Sequence, residues 1–284
     1  GAEWATPAKV IDDAQYRADG AGYLRDGSRH VFVVPATGGT PRQLTSGDFD
    51  HGAPEWTPDG RHVLVSANRR EDRLDHPNDS EIWEIDVEDG SMRALTDRYG
   101  PDGSPAVSPD GSLIAYTGFD DRRQGYQVTK LYVMDRDGTN RRMVADDLDR
   151  DLGGLVWAAD GSGLYAQYDD EGRTKVAKVG LDGSVENLAT DLGGLSYGRP
   201  YGGGSFTVST SGRIAYTWTE SSHPADVALV DTDGAFTRLT ELNEDLLGHL
   251  ELGEVEELWW ESPVDGRSVQ GWIVKPPGFD PSEE

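Results

Sequence analysis

One segment of the chain has the spacing of a serine nucleophile motif. The sequence GLSYG at residues 194–198, with Ser196 at its centre, matches the pattern G-x-S-x-G. That motif works when a turn between a strand and a helix holds the serine above a parallel sheet, beside an oxyanion hole. Here the match lies in a glycine-rich stretch, and no helical pattern follows it. We interpret it as a loop coincidence and predict no catalytic residue in this chain.

Acidic and imidazole side chains are the next candidates, because they could bind a metal ion. The sequences DRDG at 135–138 and DTDG at 231–234 resemble parts of calcium loops. An EF-hand loop also needs a further oxygen ligand and a bidentate glutamate at its twelfth position. Neither segment supplies these in register, so both are predicted to be hairpin turns. The histidines show no paired ligand spacing; they are His30, His51, His62, His76, His223 and His249. We predict no metal and no cofactor.

Composition limits the class of protein. The chain has 284 residues, no cysteine, and 52 acidic against 26 basic residues, for a net charge of −26. Such a polyanion is a poor nucleic-acid ligand, since phosphate contacts need Lys and Arg. No apolar run approaches the ~20 residues of a membrane helix, and no leader is visible. We expect a cytoplasmic protein with neither nucleic-acid nor membrane partners.

The acids are spread along the whole chain, and only five of the basic residues are lysines. This pattern is typical of proteins that work in molar salt, where the Debye length falls to about 3 Å and self-repulsion is screened. We therefore predict a halophilic protein. The alternatives are an ordinary acidic protein, or an acidic surface for a cationic partner.

A pattern of about fifty residues repeats along the chain. The residues that precede the glycine of each copy, Asp59, Asp110, Asp160 and Ser211, are spaced 51, 50 and 51 apart. The copies are PEWTPDG at 54–60, PAVSPDG at 105–111, LVWAADG at 155–161 and the weaker FTVSTSG at 206–212. A second series of turns alternates with them, at 38–39, 89–90, 137–138, 182–183 and 233–234. Short segments ending in Leu-Thr often follow this second series, at 44–45, 95–96 and 239–240.

Each repeat is predicted to form four short antiparallel strands, because Asp-Gly favours tight turns between the apolar runs. In the first complete repeat the strands are 53–56, 62–66, 81–87 and 92–95. One such sheet cannot bury both faces, whereas radial stacking of sheets does so. The predicted fold is therefore all-β, a β-propeller of four-stranded antiparallel blades over residues 1–250. Four blades are complete, residues 31–45 supply part of an earlier one, and the propeller is expected to be incomplete at its N-terminus.

Tryptophans recur at strand positions of the repeat. Trp56, Trp83 and Trp157 are the three examples, and we expect them to pack between blades rather than to bind a ligand. The longest loop within a repeat, 67–80, is rich in charge. It is either a solvated loop or a contact for another domain or subunit.

The pattern changes in residues 251–284, which are predicted to contain two strands around the turn at 263–267. Trp259 and Trp260 are neighbours in the first strand, so they should face opposite sides. The sequence DGRSVQGWIVKPPGF at 265–279 resembles the entry to the catalytic domain of the prolyl oligopeptidase family of serine peptidases, in its acylaminoacyl-peptidase and dipeptidyl-aminopeptidase-like branch. The WTPDG and SPDG repeats resemble the propeller of that family.

The resemblance implies an α/β-hydrolase domain with a Ser-Asp-His triad, capped by a propeller that admits short peptides. Residues 251–284 would then be a linker and the first strands of that domain, and the triad would lie downstream. We expect this chain to be inactive alone, and to have short peptides, the hydrolase domain and possible further copies of itself as partners. The alternative is a non-catalytic propeller scaffold of the TolB kind.

Overall fold

The computed structural model describes residues 8–11, 14–24, 27–194 and 203–282. The chain divides into two compact units, of which the first comprises residues 1–105 and 118–127 and the second residues 106–117 and 128–284. Within the described residues the regular secondary structure is almost entirely antiparallel strands, with one short helix. None of the helices in that part is long and apolar enough to cross a membrane.

The first unit contains three sheets. Two are two-stranded: β1 (Arg17–Ala18) with β2 (Gly22–Tyr23), and β3 (Phe32–Val33) with β4 (Arg42–Gln43). The third is four-stranded, in the order β5 (Glu55–Trp56), β6 (His62–Ala67), β7 (Glu81–Asp86) and β8 (Met92–Ala94). Apolar residues in and beside these strands form a shared core of Val31, Leu44, Val63, Val65 and Ile85.

Three further four-stranded sheets follow in chain order. The first of them consists of β9 (Asp102–Val107), β10 (Leu113–Gly118), β11 (Lys130–Asp135) and β12 (Arg142–Val144). The next consists of β13 (Gly153–Trp157), β14 (Gly163–Asp170), β15 (Arg173–Gly180) and β16 (Val185–Ala189). The last consists of β17 (Phe206–Val208), β18 (Ile214–Glu220), β19 (His223–Val230) and β20 (Phe236–Arg238).

The chain then forms helix α1 (Glu244–Leu247) and a two-stranded hairpin of β21 (Glu254–Glu261) and β22 (Ser268–Lys275). The central strands of the second unit are its most buried, and they form two cores. Leu131, Leu164 and Val179 belong to one, and Val176 and Ile214 to the other. The predicted repeat of four-stranded antiparallel units is confirmed by these sheets.

The Asp-Gly turns have the expected physical basis. Gly60 and Gly111 adopt φ of 67° and 75°, a region that favours glycine. Before each glycine an aspartate folds back on its own turn. Asp110 accepts hydrogen bonds from Ser108 Oγ at 2.6 Å and Ser112 N at 3.0 Å. These bonds lower the pKa of Asp110 to about 2, so the turn is held by an ionised carboxylate.

The packing predicted for the repeated tryptophans is only partly correct. Trp83 and Trp157 are partly buried against the cores, and Trp157 Nε1 donates to Ala106 O at 3.0 Å. Trp56, at the place in the repeat that Trp157 occupies, is 49% exposed. The interpretation was wrong for Trp56 because the sheet before it, β3 with β4, has only two strands among the described residues.

Candidate functional site: the loop ends, the linker and the C-terminal hairpin

Each four-stranded sheet has two different ends. The turns between its first and second strands and between its third and fourth strands lie at one end; these are the Asp-Gly turns and, in the last sheet, Ser211-Gly212. The connection between the second and third strands, and the chain that leaves the fourth strand, lie at the other. We call this second end the loop end. Loops that are positioned by rigid strands are the usual carriers of function.

A threonine marks the loop end in three sheets. Its hydroxyl accepts the backbone N–H of a residue 13 or 14 positions earlier and contacts the ionisable side chain just before that residue. The backbone bonds are Val31 N to Thr45, Ile82 N to Thr96 and Val227 N to Thr240. The side-chain contacts are His30 Nδ1 with Thr45 at 3.1 Å, Glu81 Oε2 with Thr96 at 2.5 Å and Asp226 Oδ1 with Thr240 at 2.7 Å. The Leu-Thr segments of the sequence are explained by this role.

The loop end of the β5–β8 sheet carries a cluster of carboxylates. Glu81 lies near Asp79 and Asp102, which are 5% and 0% exposed. Burial of Glu81 raises its pKa to about 7; the hydrogen bond from Thr96 opposes this, and the neighbouring carboxylates reinforce it. Arg98 pairs with Asp102 in the same cluster. Glu81 is thus a carboxyl group whose pKa lies near neutral pH.

Replacing Glu81 by glutamine is expected to stabilise the chain at pH 8 but not at pH 5. The folded state holds the Glu81 proton more tightly than the unfolded state, so its stabilisation is complete below pH 4.5 and is lost as the pH rises toward 7. The gain at pH 8 should be roughly 1 kcal/mol, discounted for partial exposure. Urea unfolding of both proteins at the two pH values measures it, with Glu71→Gln, an exposed glutamate of the same unit, as control. An equal effect of Glu81→Gln at both pH values would contradict the assignment.

Asp226 fixes the start of the linker that leaves the last sheet. It is 1% exposed, and its Oδ1 accepts Thr240 Oγ1 at 2.7 Å and Leu242 N at 2.9 Å. Its Oδ2 accepts Arg238 Nε at 2.8 Å. Burial by itself would raise the pKa of Asp226, but these hydrogen bonds and the Arg238 charge outweigh it and hold the pKa below its usual value. We call Asp226, Arg238, Thr240 and Leu242 the linker clasp.

The clasp extends into helix α1. Arg238 Nη2 also donates to Glu244 Oε1 at 2.8 Å and lies 2.9 Å from His223 Nε2. Trp218 lies beneath the Arg238 guanidinium, 5.7 Å from ring centre to Cζ. The first residues of the linker are therefore tied to the sheet by several side chains, and its direction is fixed where it leaves.

The C-terminal hairpin has two different faces. The register pairs Trp259 with Gln270 and Glu257 with Trp272, so these four side chains share one face. Trp260 and Ile273 lie on the other face, where they are 45% and 49% exposed. The prediction that Trp259 and Trp260 face opposite sides is confirmed by this register.

The first of these faces contacts the turn between β14 and β15. Gln270 Nε2 donates to Glu171 O at 2.9 Å and to Glu257 Oε1 at 2.9 Å. The indole of Trp272 lies against Gly172, whose φ is 73°. A Cβ atom on Gly172 would come within 2.6 Å of Trp272 Cη2 and Cζ2. The hairpin therefore sits on this turn through one aromatic contact and a small set of polar bonds.

Substitution of Gly172 by alanine should loosen the hairpin. The new methyl group would force Trp272 from its place, in addition to the cost of about 1 kcal/mol for a left-handed residue. Gly161→Ala is the matched control, because Gly161 has φ of 71° in the same sheet and open space around it. We expect faster hydrogen exchange in β21 and β22 for Gly172→Ala only. Equal exchange in the two variants would show that the Trp272 contact does not hold the hairpin.

Ser196 and the acidic segments at 135–138 and 231–234 were the sequence candidates for a reactive or metal-binding centre. Ser196 lies outside the described residues, so the G-x-S-x-G match stays a prediction of a loop. The acidic segments at 135–138 and 231–234 are turns, in which Gly138 N donates to Asp135 O and Gly234 N to Asp231 O, each at 2.9 Å. In the part of the chain that the structure describes, no group of three metal-ligating side chains comes together.

Two features of this site were not predicted from the sequence. Asp226 lies on the buried face of β19, and only its partners at 238–242 reveal its role. Gln270 and Glu171 are 99 positions apart, so no local pattern connects them. One sequence signal could have found Asp226. Each Leu-Thr threonine contacts an ionisable residue 14 or 15 positions earlier, and Asp226 stands at that spacing from Thr240.

Comparison with protein families agrees with the repeat. The family model described as "Acylaminoacyl-peptidase, N-terminal beta-propeller domain" matches residues 7–143. Dipeptidyl-peptidase 5 of Porphyromonas gingivalis is 25% identical over 277 residues, covering 90% of this chain and 38% of that protein. An uncharacterized peptidase of Bacillus subtilis, YuxL, is 24% identical, covering 94% of this chain and 41% of that protein. The chain is thus similar to these proteins, and it spans about two fifths of the length of the two curated relatives.

Solved structures show the fold. An acylaminoacyl peptidase in complex with Z-Gly-Gly-Phe-chloromethyl ketone has a TM-score of 0.70 at 19% identity, covering 97% of this chain and 40% of that one. TolB from Acinetobacter baumannii has a TM-score of 0.54 at 21% identity, covering 74% of this chain and 48% of that one. The fold is the β-propeller, as the repeat predicted, and the homologues are named peptidases.

Proposed function

We propose that this chain is the substrate-gating propeller of a serine peptidase that hydrolyses short peptides of the acylaminoacyl or oligopeptide type. The Ser-Asp-His triad of the parent enzyme lies downstream of Glu284 in this proposal, and the chain by itself is inactive. The observation that carries it is the order of parts: repeated sheets, then the linker, then the hairpin at 254–275 that resembles the entry to a hydrolase domain. The matched family model and the curated peptidases support the same assignment.

The linker clasp and the seat of the hairpin have a role in this proposal. The clasp fixes where the chain leaves the last sheet, and Gln270 and Trp272 fix the hairpin on the β14–β15 turn. The hydrolase domain would cover the other face of the hairpin, where Trp260 and Ile273 are exposed. Exposed aromatic and aliphatic side chains on one sheet face are suited to such a contact.

A peptide-length series on the parent enzyme tests the gating role. Tripeptides and other short peptides should be hydrolysed rapidly, and the same cleavage sequence placed in a loop of a folded protein should resist. Unfolding that folded substrate before the assay separates access from sequence preference. Hydrolysis that does not depend on the size or folding of the substrate would contradict the gate.

A non-catalytic scaffold of the TolB kind is the second candidate, because TolB from Acinetobacter baumannii shares the fold. In that case the hairpin would be an ordinary C-terminal extension. The reading frame distinguishes the two: a downstream G-x-S-x-G followed by a later histidine favours the peptidase. A stop codon after Glu284, with a secretion signal upstream, favours the scaffold.

A further inference from the structure

Three side chains of the first unit meet outside its apolar core. Tyr99 follows β8, His76 lies in the 67–80 loop, and Arg123 lies in the loop after β10. His76 Nδ1 is 3.2 Å from the Tyr99 hydroxyl, and Arg123 Nη2 donates to that hydroxyl at 3.4 Å. The His76 and Tyr99 rings meet edge to face, 5.7 Å apart. All three belong to the same compact unit.

The neighbours of His76 determine whether the Tyr99 hydroxyl donates or accepts its hydrogen bond with His76. His76 Nε2 lies 3.5 Å from Asp72 Oδ2, and a ring nitrogen that faces a carboxylate carries the proton. We assign the Nε2–H tautomer on that ground, so Nδ1 accepts the Tyr99 proton. The phenol oxygen is then left as an acceptor for Arg123. Tyr99 therefore holds one nitrogen of the guanidinium while the exposed remainder stays available.

Arg123 has an unfavourable backbone conformation. Its φ is 55°, in the left-handed region that non-glycine residues rarely adopt. Asp121 Oδ1 supports this conformation by accepting Arg123 N at 2.7 Å and Gln127 Nε2 at 2.8 Å. Asp121 N in turn donates to Tyr99 O at 3.1 Å. Backbone strain of this kind is found at ligand clamps and other functional positions.

The partner of Arg123 is unlike those of the neighbouring arginines. Arg70, Arg73 and Arg98 each have an aspartate oxygen within 3.3 Å. Arg123 is exposed, and the guanidinium contact that the structure gives it is to a neutral phenol. Asp121 interacts with Arg123 through its charge, but the hydrogen bond that the guanidinium donates is to the phenol, so its other N–H groups face solvent in a chain of net charge −26. Guanidinium groups bind carboxylates through paired, charge-assisted hydrogen bonds.

We propose that Arg123, positioned by Tyr99, is a binding site for the C-terminal carboxylate of a short peptide. The identity of the ligand as a peptide rests on the proposed function, whereas the carboxylate chemistry rests on the geometry of Arg123. The ligand carboxylate accepts from the guanidinium N–H groups that do not face Tyr99. His76 and Asp72 act through Tyr99 as positioning residues.

Calorimetric titration of this chain with Ala-Ala-Ala and with Ala-Ala-Ala-amide tests the proposal. The amide carries one more positive charge, so attraction to the acidic protein as a whole would favour the amide. The site predicts the reverse, with about tenfold tighter binding of the free acid, as expected of one charge-assisted contact. Repeating the titration with Arg123→Ala should abolish the preference, and Tyr99→Phe should weaken it.

Arg122→Ala is the matched control, because Arg122 is an exposed arginine in the same loop and its removal changes the net charge equally. This variant should keep the preference for the free acid. Equal binding of acid and amide, binding of neither, or an equal loss in Arg122→Ala and Arg123→Ala would overturn the site. Such a result would leave the gating proposal intact, because the peptide-length series on the parent enzyme reports on that separately.

Discussion

The melting temperature of the chain is expected to rise by roughly 10 °C between about 0.1 M and about 2 M KCl. The net charge is −26, and the acids are spread over both units, so the folded state repels itself in dilute buffer. At molar salt the Debye length of about 3 Å removes most of that repulsion. This is the expected behaviour of a halophilic protein.

Salt also weakens ion pairs, but this opposing effect is smaller. Arg29 and Asp50 illustrate it, with side chains that are 77% and 57% exposed. Such exposed pairs contribute at most about 1 kcal/mol each. Sucrose of equal osmolality is the control for solvent exclusion. A melting temperature that is the same at both KCl concentrations would contradict the halophilic interpretation.

Replacing Asp226 by alanine is expected to lower the free energy of unfolding by about 3 kcal/mol, the usual effect of breaking a buried ion pair. Asp226 is the shared acceptor for Arg238, Thr240 and Leu242. Its loss leaves these donors without their partner at the point where the linker begins. Hydrogen exchange of the Leu242 amide should accelerate in parallel, since that amide donates to Asp226.

Asp231→Ala is the matched control for the clasp. Asp231 follows the same strand and pairs with Arg213, but its side chain is 31% exposed and that of Arg213 is 55% exposed. We expect a much smaller loss for this surface pair, because both side chains are partly solvated. If the two variants lose the same stability in urea unfolding, or if Leu242 exchange does not change, Asp226 does not fix the linker.

The strands were predictable because the repeat and the turn chemistry agree. The predicted strand at 62–66 is observed as His62–Ala67, and that at 81–87 as Glu81–Asp86. Each is bounded by a turn in which an aspartate accepts the backbone N–H two residues on, as Asp59 does from Arg61 and Asp89 from Ser91. Alternation along the strand then decides which residues enter the core.

The polar contacts were not predictable, because their partners are far apart in the sequence. Arg123 and Tyr99 are 24 positions apart, and Gln270 and Glu171 are 99 apart. Nothing in the local sequence distinguishes Arg123 from Arg122, and only the positive φ and the Tyr99 contact do so. Trp56 shows a limit of the repeat pattern. The repeat predicts burial of this position only where the neighbouring sheet has all four strands, and the sheet of β3 and β4 has two among the described residues.

Labelling with a fluorophosphonate probe distinguishes a gating propeller from a catalytic chain, because such probes react with activated serines. We expect the parent enzyme to be labelled at a serine downstream of Glu284 and this chain to remain unlabelled. Labelling of this chain itself, at Ser196 or any other serine, would contradict the account. So would a parent protein that carries no reactive serine at all.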